Sequence, residues 1–169
     1  MRTVCSKCRR VVRDDGIGGS SVTGLELCAD CAAYERTLRA SIPGREGLDT
    51  SQQPLLVITS DSRVVAANAA FAAFAGRPSA ELEGWLTGDA IGCARAKLPG
   101  GCGRTLHCHA CTIRRMVAEV GRTRLARWRV PAYVVTATGR REICVTIRPE
   151  GDDLVVVVIE DAPQAEGHA

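Results

Sequence analysis

Ile58-Thr59-Ser60-Asp61-Ser62-Arg63-Val64-Val65-Ala66-Ala67-Asn68-Ala69-Ala70-Phe71 is the stretch on which the fold turns. Its first residues close the apolar run Leu55-Leu56-Val57-Ile58-Thr59, which begins after Pro54 and reads as a strand. Asp61-Ser62 is a tight turn, and Arg63 to Asn68 reads as a second strand, so the two make a hairpin. Asn68 stands before Ala69 to Ala75, a short helical run with Phe71 and Phe74 on one face.

The pattern extends outward. Glu81-Leu82-Glu83-Gly84 suggests another helical turn. Between Cys111 and Val120, the apolar residues Ile113, Met116, Val117 and Val120 repeat as i, i+3, i+4, i+7, which predicts a longer helix. Three strands follow, Trp128 to Ala137, Glu142 to Arg148 and Leu154 to Glu160, separated by turns at Thr138-Gly139-Arg140 and Pro149-Glu150-Gly151-Asp152. Alternation within Ile143-Cys144-Val145-Thr146-Ile147 puts Cys144 opposite the three aliphatics, where a lone thiol reads as a small buried hydrophobe.

The hairpin, its terminal Asn68 and the Ala-rich helix, followed by Arg77-Pro78-Ser79-Ala80-Glu81-Leu82-Glu83-Gly84, resemble the opening of a PAS domain. The resemblance spans residues 53–162. It implies an α+β fold, a five-stranded antiparallel sheet with helices on one side, used as a sensor or dimerisation module. No kinase, helix-turn-helix or cyclase sequence follows. Output is therefore expected to pass to a protein signalling partner or through the cysteine-bearing N-terminal module, and a homodimer is expected through the PAS domain. The polar tail 163–169 reads as flexible.

Upstream, Cys5-Ser6-Lys7-Cys8 and Cys28-Ala29-Asp30-Cys31 are two C-x2-C pairs nineteen residues apart. Each pair lets a tight turn aim two thiolates at one ion, and two pairs complete a tetrahedral, closed and therefore structural Zn2+ site. A redox-active dithiol is the competing interpretation of a C-x2-C pair in a reducing compartment. Asp14-Asp15-Gly16 and Gly18-Gly19-Ser20 read as turns, Val11-Val12 and Leu25-Glu26-Leu27 as short strands, and Ala32 to Arg39 as a helix. Knuckle, hairpin and helix-opening second pair resemble the treble-clef and zinc-ribbon families across residues 1–40. So small a module buries too little surface to fold without its metal. Ser41-Ile42-Pro43-Gly44-Arg45-Glu46-Gly47 breaks the helical pattern, and 41–52 reads as a linker.

A second quartet, Cys93, Cys102, Cys108 and Cys111, lies in the loop 93–111 with spacing C-x8-C-x5-C-x2-C, amid Gly92, Gly100, Gly101 and Gly103. Three readings compete: an iron–sulfur cluster, most plausibly [4Fe–4S]; a second Zn2+, with His107 or His109 able to replace a thiolate; and a metal-free thiol switch. Zinc sites favour two paired knuckles, and here only Cys108 and Cys111 are paired, so the spacing leans to a cluster. Alternation around Cys108 points His107 and His109 away from the site.

Composition agrees with a folded domain plus a small one: 169 residues, 46% hydrophobic and 24% charged. No apolar run is long enough for export or for crossing a bilayer, so the expected location is cytoplasmic, away from membranes, where nine reduced cysteines argue for metal binding or redox chemistry rather than a disulfide framework. Net charge is only +3, yet residues 112–141 carry eight Arg against one acid and 142–169 one Arg against seven acids. If adjacent, these segments offset each other, which weakens the case for nucleic acid. Arg122, Arg124, Arg127 and Arg129 differ in parity and share no single strand face; solvated surface is their default reading, a phosphate- or partner-binding patch the sharper one. The chain thus reads as a non-catalytic redox or oxygen sensor, with a nucleic-acid-binding regulator bearing two structural zinc sites as the alternative. Nothing resembles a nucleophile–base pair, a phosphate loop or an open metal site.

Overall fold

The computed structural model describes residues 2–5, 8–14, 16, 22–40 and 45–161. They fall into two compact units, Met1–Ser41 and Ile42–Ala169. The expected turn Gly18-Gly19-Ser20, residues 41–44 of the expected linker and the tail 163–169 lie outside the described residues.

The first unit contains β1 (Arg2–Cys5), β2 (Val11–Asp14), β3 (Val22–Glu26) and α1 (Ala29–Ala40). The sheet order is β2-β1-β3. The hairpin expected between residues 11–12 and 25–27 does not form, because β1 lies between them. β1 pairs with β2 antiparallel and with β3 parallel, Cys5 standing opposite Glu26. The parallel register has a chemical consequence. It brings the ends of β1 and β3 side by side, so both C-x2-C pairs start from one edge of the sheet.

The second unit opens with a 3-10 helix, Arg45–Thr50, within the stretch expected to be linker. Then come β4 (Leu55–Thr59), β5 (Val64–Ala67), α2 (Ala69–Ala75), α3 (Ser79–Leu82), α4 (Thr87–Ala90), a 3-10 turn Ala94–Lys97, α5 (Leu106–His109), α6 (Thr112–Thr123), β6 (Arg127–Thr136), β7 (Gly139–Glu150) and β8 (Leu154–Asp161). The sheet order is β5-β4-β8-β7-β6, antiparallel throughout. The last turn falls at 151–153, later than expected, because Pro149 and Glu150 still face Val155 and Leu154.

Period-two alternation sends Leu56, Ile58, Ile143, Val145, Ile147, Val155 and Val157 into one core with Phe71, Leu82, Ile113, Val117 and Val120 from the helices. Burying each such side chain stabilises by roughly 1.5–3 kcal/mol. Cys144 is buried but stands outside that cluster. Three ion pairs join the basic and acidic segments as adjacency would require, Arg129 with Glu160, Arg140 with Glu142 and Arg141 with Asp161, and Arg127 pairs with Glu119 inside the basic one. No described helix is long and apolar enough to cross a membrane.

Asn68, 1% exposed, ties the N-terminal stretch to the sheet and α2. Its Oδ1 accepts from the N–H groups of Leu55 (3.0 Å) and Phe71 (2.8 Å), the latter capping α2. Its Nδ2 donates toward the carbonyls of Leu48, Ser51 and Gln53 at 3.3, 3.2 and 2.9 Å. Asp49 completes the clip by accepting from the Ala69 N–H at 2.7 Å. The 3-10 helix is therefore fastened to the sensor unit. Replacing Asn68 by Ala strands the buried N–H groups of Leu55 and Phe71 and removes a donor from three carbonyls, of which Leu48 and Gln53 keep a contact from Ser51. It should cost about 3 kcal/mol, read as a lower urea midpoint.

Candidate metal centres

The first quartet is assembled by three local structures. Cys5 ends β1, and a tight turn returns the chain, with Cys5 N–H donating to the Arg10 carbonyl (2.7 Å) and Arg9 N–H to the Cys5 carbonyl (3.0 Å). Arg9 takes a left-handed conformation, φ 64°, to close that turn. Cys28 precedes α1 and Cys31 lies in its first turn, so both sit at the positive end of a helix, which favours thiolates. The Cys28 N–H points at Cys5 Sγ, 3.4 Å away.

The four sulfurs lie within 4.8 Å of one another, and Cys8 Sγ and Cys28 Sγ are 3.7 Å apart. A tetrahedron with metal–sulfur bonds of about 2.3 Å has edges of about 3.8 Å. The group is thus spaced for one ion. Burial, then hydrogen bonds from its fellow cysteines Cys28, Cys5 and Cys8, push the Cys31 thiol up to about 12. A bound cation reverses that balance by holding all four as thiolates, with release of protons.

The second quartet lies on the helical side of the sensor sheet. Cys93, Cys102, Cys108 and Cys111 all line one cavity of about 70 Å³, closed by Ile91, Ile113, Val134 and Tyr133. One water takes roughly 10–15 Å³ of such space, so there is room for a small group rather than a single solvent molecule. Unlike the first quartet, these thiols do not form a group within single-ion spacing. A wider groove of about 520 Å³ on the other face, lined by Leu55, Val57, Val156, Val158 and Trp128, carries no cysteine.

Backbone geometry explains how the loop reaches inward. Cys93 N–H donates to the Gly88 carbonyl at 2.8 Å, anchoring the start. Cys102 packs on Gly88, where a Cβ would stand 2.6 Å from its sulfur. Cys111 is the N-cap residue of the twelve-residue α6, at the positive end of that helix. The Gly103 N–H donates to Cys108 Sγ at 3.1 Å, and the Thr105 hydroxyl lies 3.2 Å from the same sulfur.

The thiols differ in acidity. Burial pushes Cys102 up to about 11, against a lowering contact from the Gly88 backbone, and the neighbouring Cys108, Asp89 and Cys111 add to the rise. Burial acts the same way on Cys108, but the Thr105 hydroxyl, the Gly103 and Thr105 backbones and the Arg114 charge outweigh it and hold that thiol below its ordinary value.

His107 lines the cavity and His109 does not. The expectation that both point away assumed an extended chain. Leu106–His109 is a helical turn, in which neighbours of Cys108 sit about 100° round the axis rather than opposite it. Tyr133 was missed altogether. Arg140 (4.0 Å) and Arg95 (6.0 Å) both stand over its ring at the cavity wall, and only the fold brings β6, β7 and the Ala94–Lys97 turn together there. Of the four arginines at 122–129, Arg124 donates to the carbonyls of Gly151 and Leu154, and Arg127 and Arg129 are paired with acids.

With fold and sites described, comparison places the chain. The family model described as the PAS fold matches residues 48–162, and the chain belongs to the PAS family. Solved structures share the fold at low identity. The PAS domain of the quorum-sensing receptor RpfR from Cronobacter turicensis, in complex with BDSF, is 13% identical with a TM-score of 0.50, covering 67% of this chain and 96% of that one. The PAS domain of BvgS from Bordetella pertussis is 15% identical with a TM-score of 0.50, covering 80% and 89%. The photoactive yellow protein domain of the sensor histidine kinase Ppr from Rhodospirillum centenum is 8% identical with a TM-score of 0.50, covering 69% and 98%. No curated protein matches the sequence.

Replacing Cys5, the fully buried ligand, by Ser should abolish metal binding and unfold residues 2–40 while the sensor unit keeps its own transition, as limited proteolysis would report. In metal-free protein near neutral pH, iodoacetamide should alkylate Cys108 before Cys102. The lowered thiol presents more thiolate, and the raised one almost none; peptide mass mapping reads the order.

Proposed function

We propose that this chain is a non-catalytic, cytoplasmic PAS signalling protein that senses redox state or oxygen through a metal centre held by Cys93, Cys102, Cys108 and Cys111. In this reading Cys5, Cys8, Cys28 and Cys31 hold a structural Zn2+, and the second quartet holds a [4Fe–4S] cluster.

The observation that carries the proposal is the contrast between the quartets. One is already drawn to the spacing of a single tetrahedral ion. The other four thiols share the lining of one cavity with apolar walls, which suits a cluster, where several irons stand between the thiolates. Proteins of the same fold include a quorum-sensing receptor domain and a sensor histidine kinase domain, which supports a signalling role. Loss or oxidation of the cluster would loosen the 93–111 loop, and α6, which begins directly after Cys111, would carry the change to a homodimer or a protein partner. The alternative, a nucleic-acid-binding regulator with two zinc sites, is weakened because Arg124, Arg127 and Arg129 are occupied within their own unit.

The test is elemental. Anaerobically purified protein should carry about one zinc with about four iron and four acid-labile sulfide per chain and absorb visibly. Changing Cys93, Cys102, Cys108 and Cys111 together to Ser should remove iron and sulfide and leave the zinc. Two zinc ions in a colourless protein would overturn the cluster.

A further inference from the structure

The cysteine loop itself carries only cations, with Asp89 and Glu119 flanking it. Between residues 90 and 118 stand Arg95, Lys97, Arg104, Arg114 and Arg115 with no acid among them. Two of these five, Arg95 and Arg114, line the cavity that the four cysteines share. A centre bound by four thiolates is anionic, so cations in its wall favour the more negative, reduced form.

Arg114 is the better placed of the two. It lies in the first turn of α6, three residues after Cys111. Its side chain runs back across Gly103, where a Cβ would collide with Nη1. Gly103 adopts φ +88°, a conformation that suits glycine, and its N–H donates to Cys108 Sγ. One guanidinium therefore lies over the backbone that supports Cys108, on the helix that begins at Cys111. Arg115, the next residue, does not line the cavity and serves as its control.

We propose that Arg114 is the positioning residue of the second metal centre: it pins the 102–108 loop to α6 across Gly103 and supplies the positive charge that sets the centre's reduction potential. The proposal rests on the metal-binding reading of the second quartet. It predicts a local effect of charge, distinct from a loss of fold.

The experiment compares wild type with Arg114→Gln, Arg114→Lys and Arg115→Gln, each purified or reconstituted anaerobically with iron and sulfide. Iron and sulfide are counted, and the midpoint potential is read by mediated titration of the visible spectrum. Arg114→Gln should move the potential to a more negative value, Arg114→Lys should restore most of it, and Arg115→Gln should match wild type. If the second site takes zinc instead, the readout is zinc affinity by chelator competition. Arg114→Gln should then lose roughly tenfold, the lower end of the range for residues that support metal ligands, with Arg115→Gln again unchanged. Loaded Arg114→Gln with the potential or affinity of wild type would overturn this inference and leave the metal reading standing. Wild-type protein that holds neither iron nor a second zinc overturns both.

Discussion

The sensor unit depends on where β8 lies. It is the last described strand, yet it sits between β4, the first strand of its unit, and β7. Leu55 faces Val158 and Thr59 faces Leu154, so the pairing closes a loop of about a hundred residues. Closing it costs entropy that grows only slowly with length. The return comes from a strand whose Leu154, Val155, Val156 and Val157 are all buried, the composition of a strand covered on both faces. Once β8 is in place, everything from β5 to α6 must cross one face of the sheet, and the cysteine cavity forms beneath that crossing.

Two clips set how the crossing begins and ends. At the start, Asn68 satisfies two backbone donors and engages three carbonyls, fastening the 3-10 helix, β4 and α2 at one point. At the end, Cys111 stands at the N-cap position of α6, which is fixed by Ile113, Val117 and Val120 buried in the core. The cysteine loop hangs between these two fixed points. It is short of regular structure and rich in cysteine, and its conformation is set by a few backbone contacts to Gly88, Gly103 and Thr105. Such a segment has low local stability and responds to what it binds.

The two quartets solve the same chemical problem differently. In the first unit, parallel pairing of β1 with β3 makes both C-x2-C turns issue from one edge, and the sulfurs converge on single-ion spacing. In the second, one wall of the site is a sheet and the thiols come from a loop, so they encircle a cavity instead of closing on a point. The first arrangement stabilises a small fold. The second leaves space, apolar walls and cationic neighbours around its thiols.

Much of this was legible in the residues. Strand–turn–strand–helix over 55–75 and the i, i+3, i+4, i+7 face of 113–120 are patterns set by local physics, and the elements stand where those patterns put them. The C-x2-C spacing, likewise, names its own chemistry because two ligands on one tight turn are a local matter. Other features were invisible for a common reason. β1 is four residues long and gains its place only by pairing with a strand some twenty residues away. His107 lines the cavity because Leu106–His109 coils into a turn, and the Tyr133 contacts need Arg95 and Arg140 brought together from separate elements. Sequence by itself determined the 55–75 hairpin and helix, the 113–120 helix face, the family and the spacing of the first quartet, since each rests on neighbours along the chain. Tertiary structure alone decided which thiols converge and which surround a space, because that depends on contacts between residues the chain holds far apart.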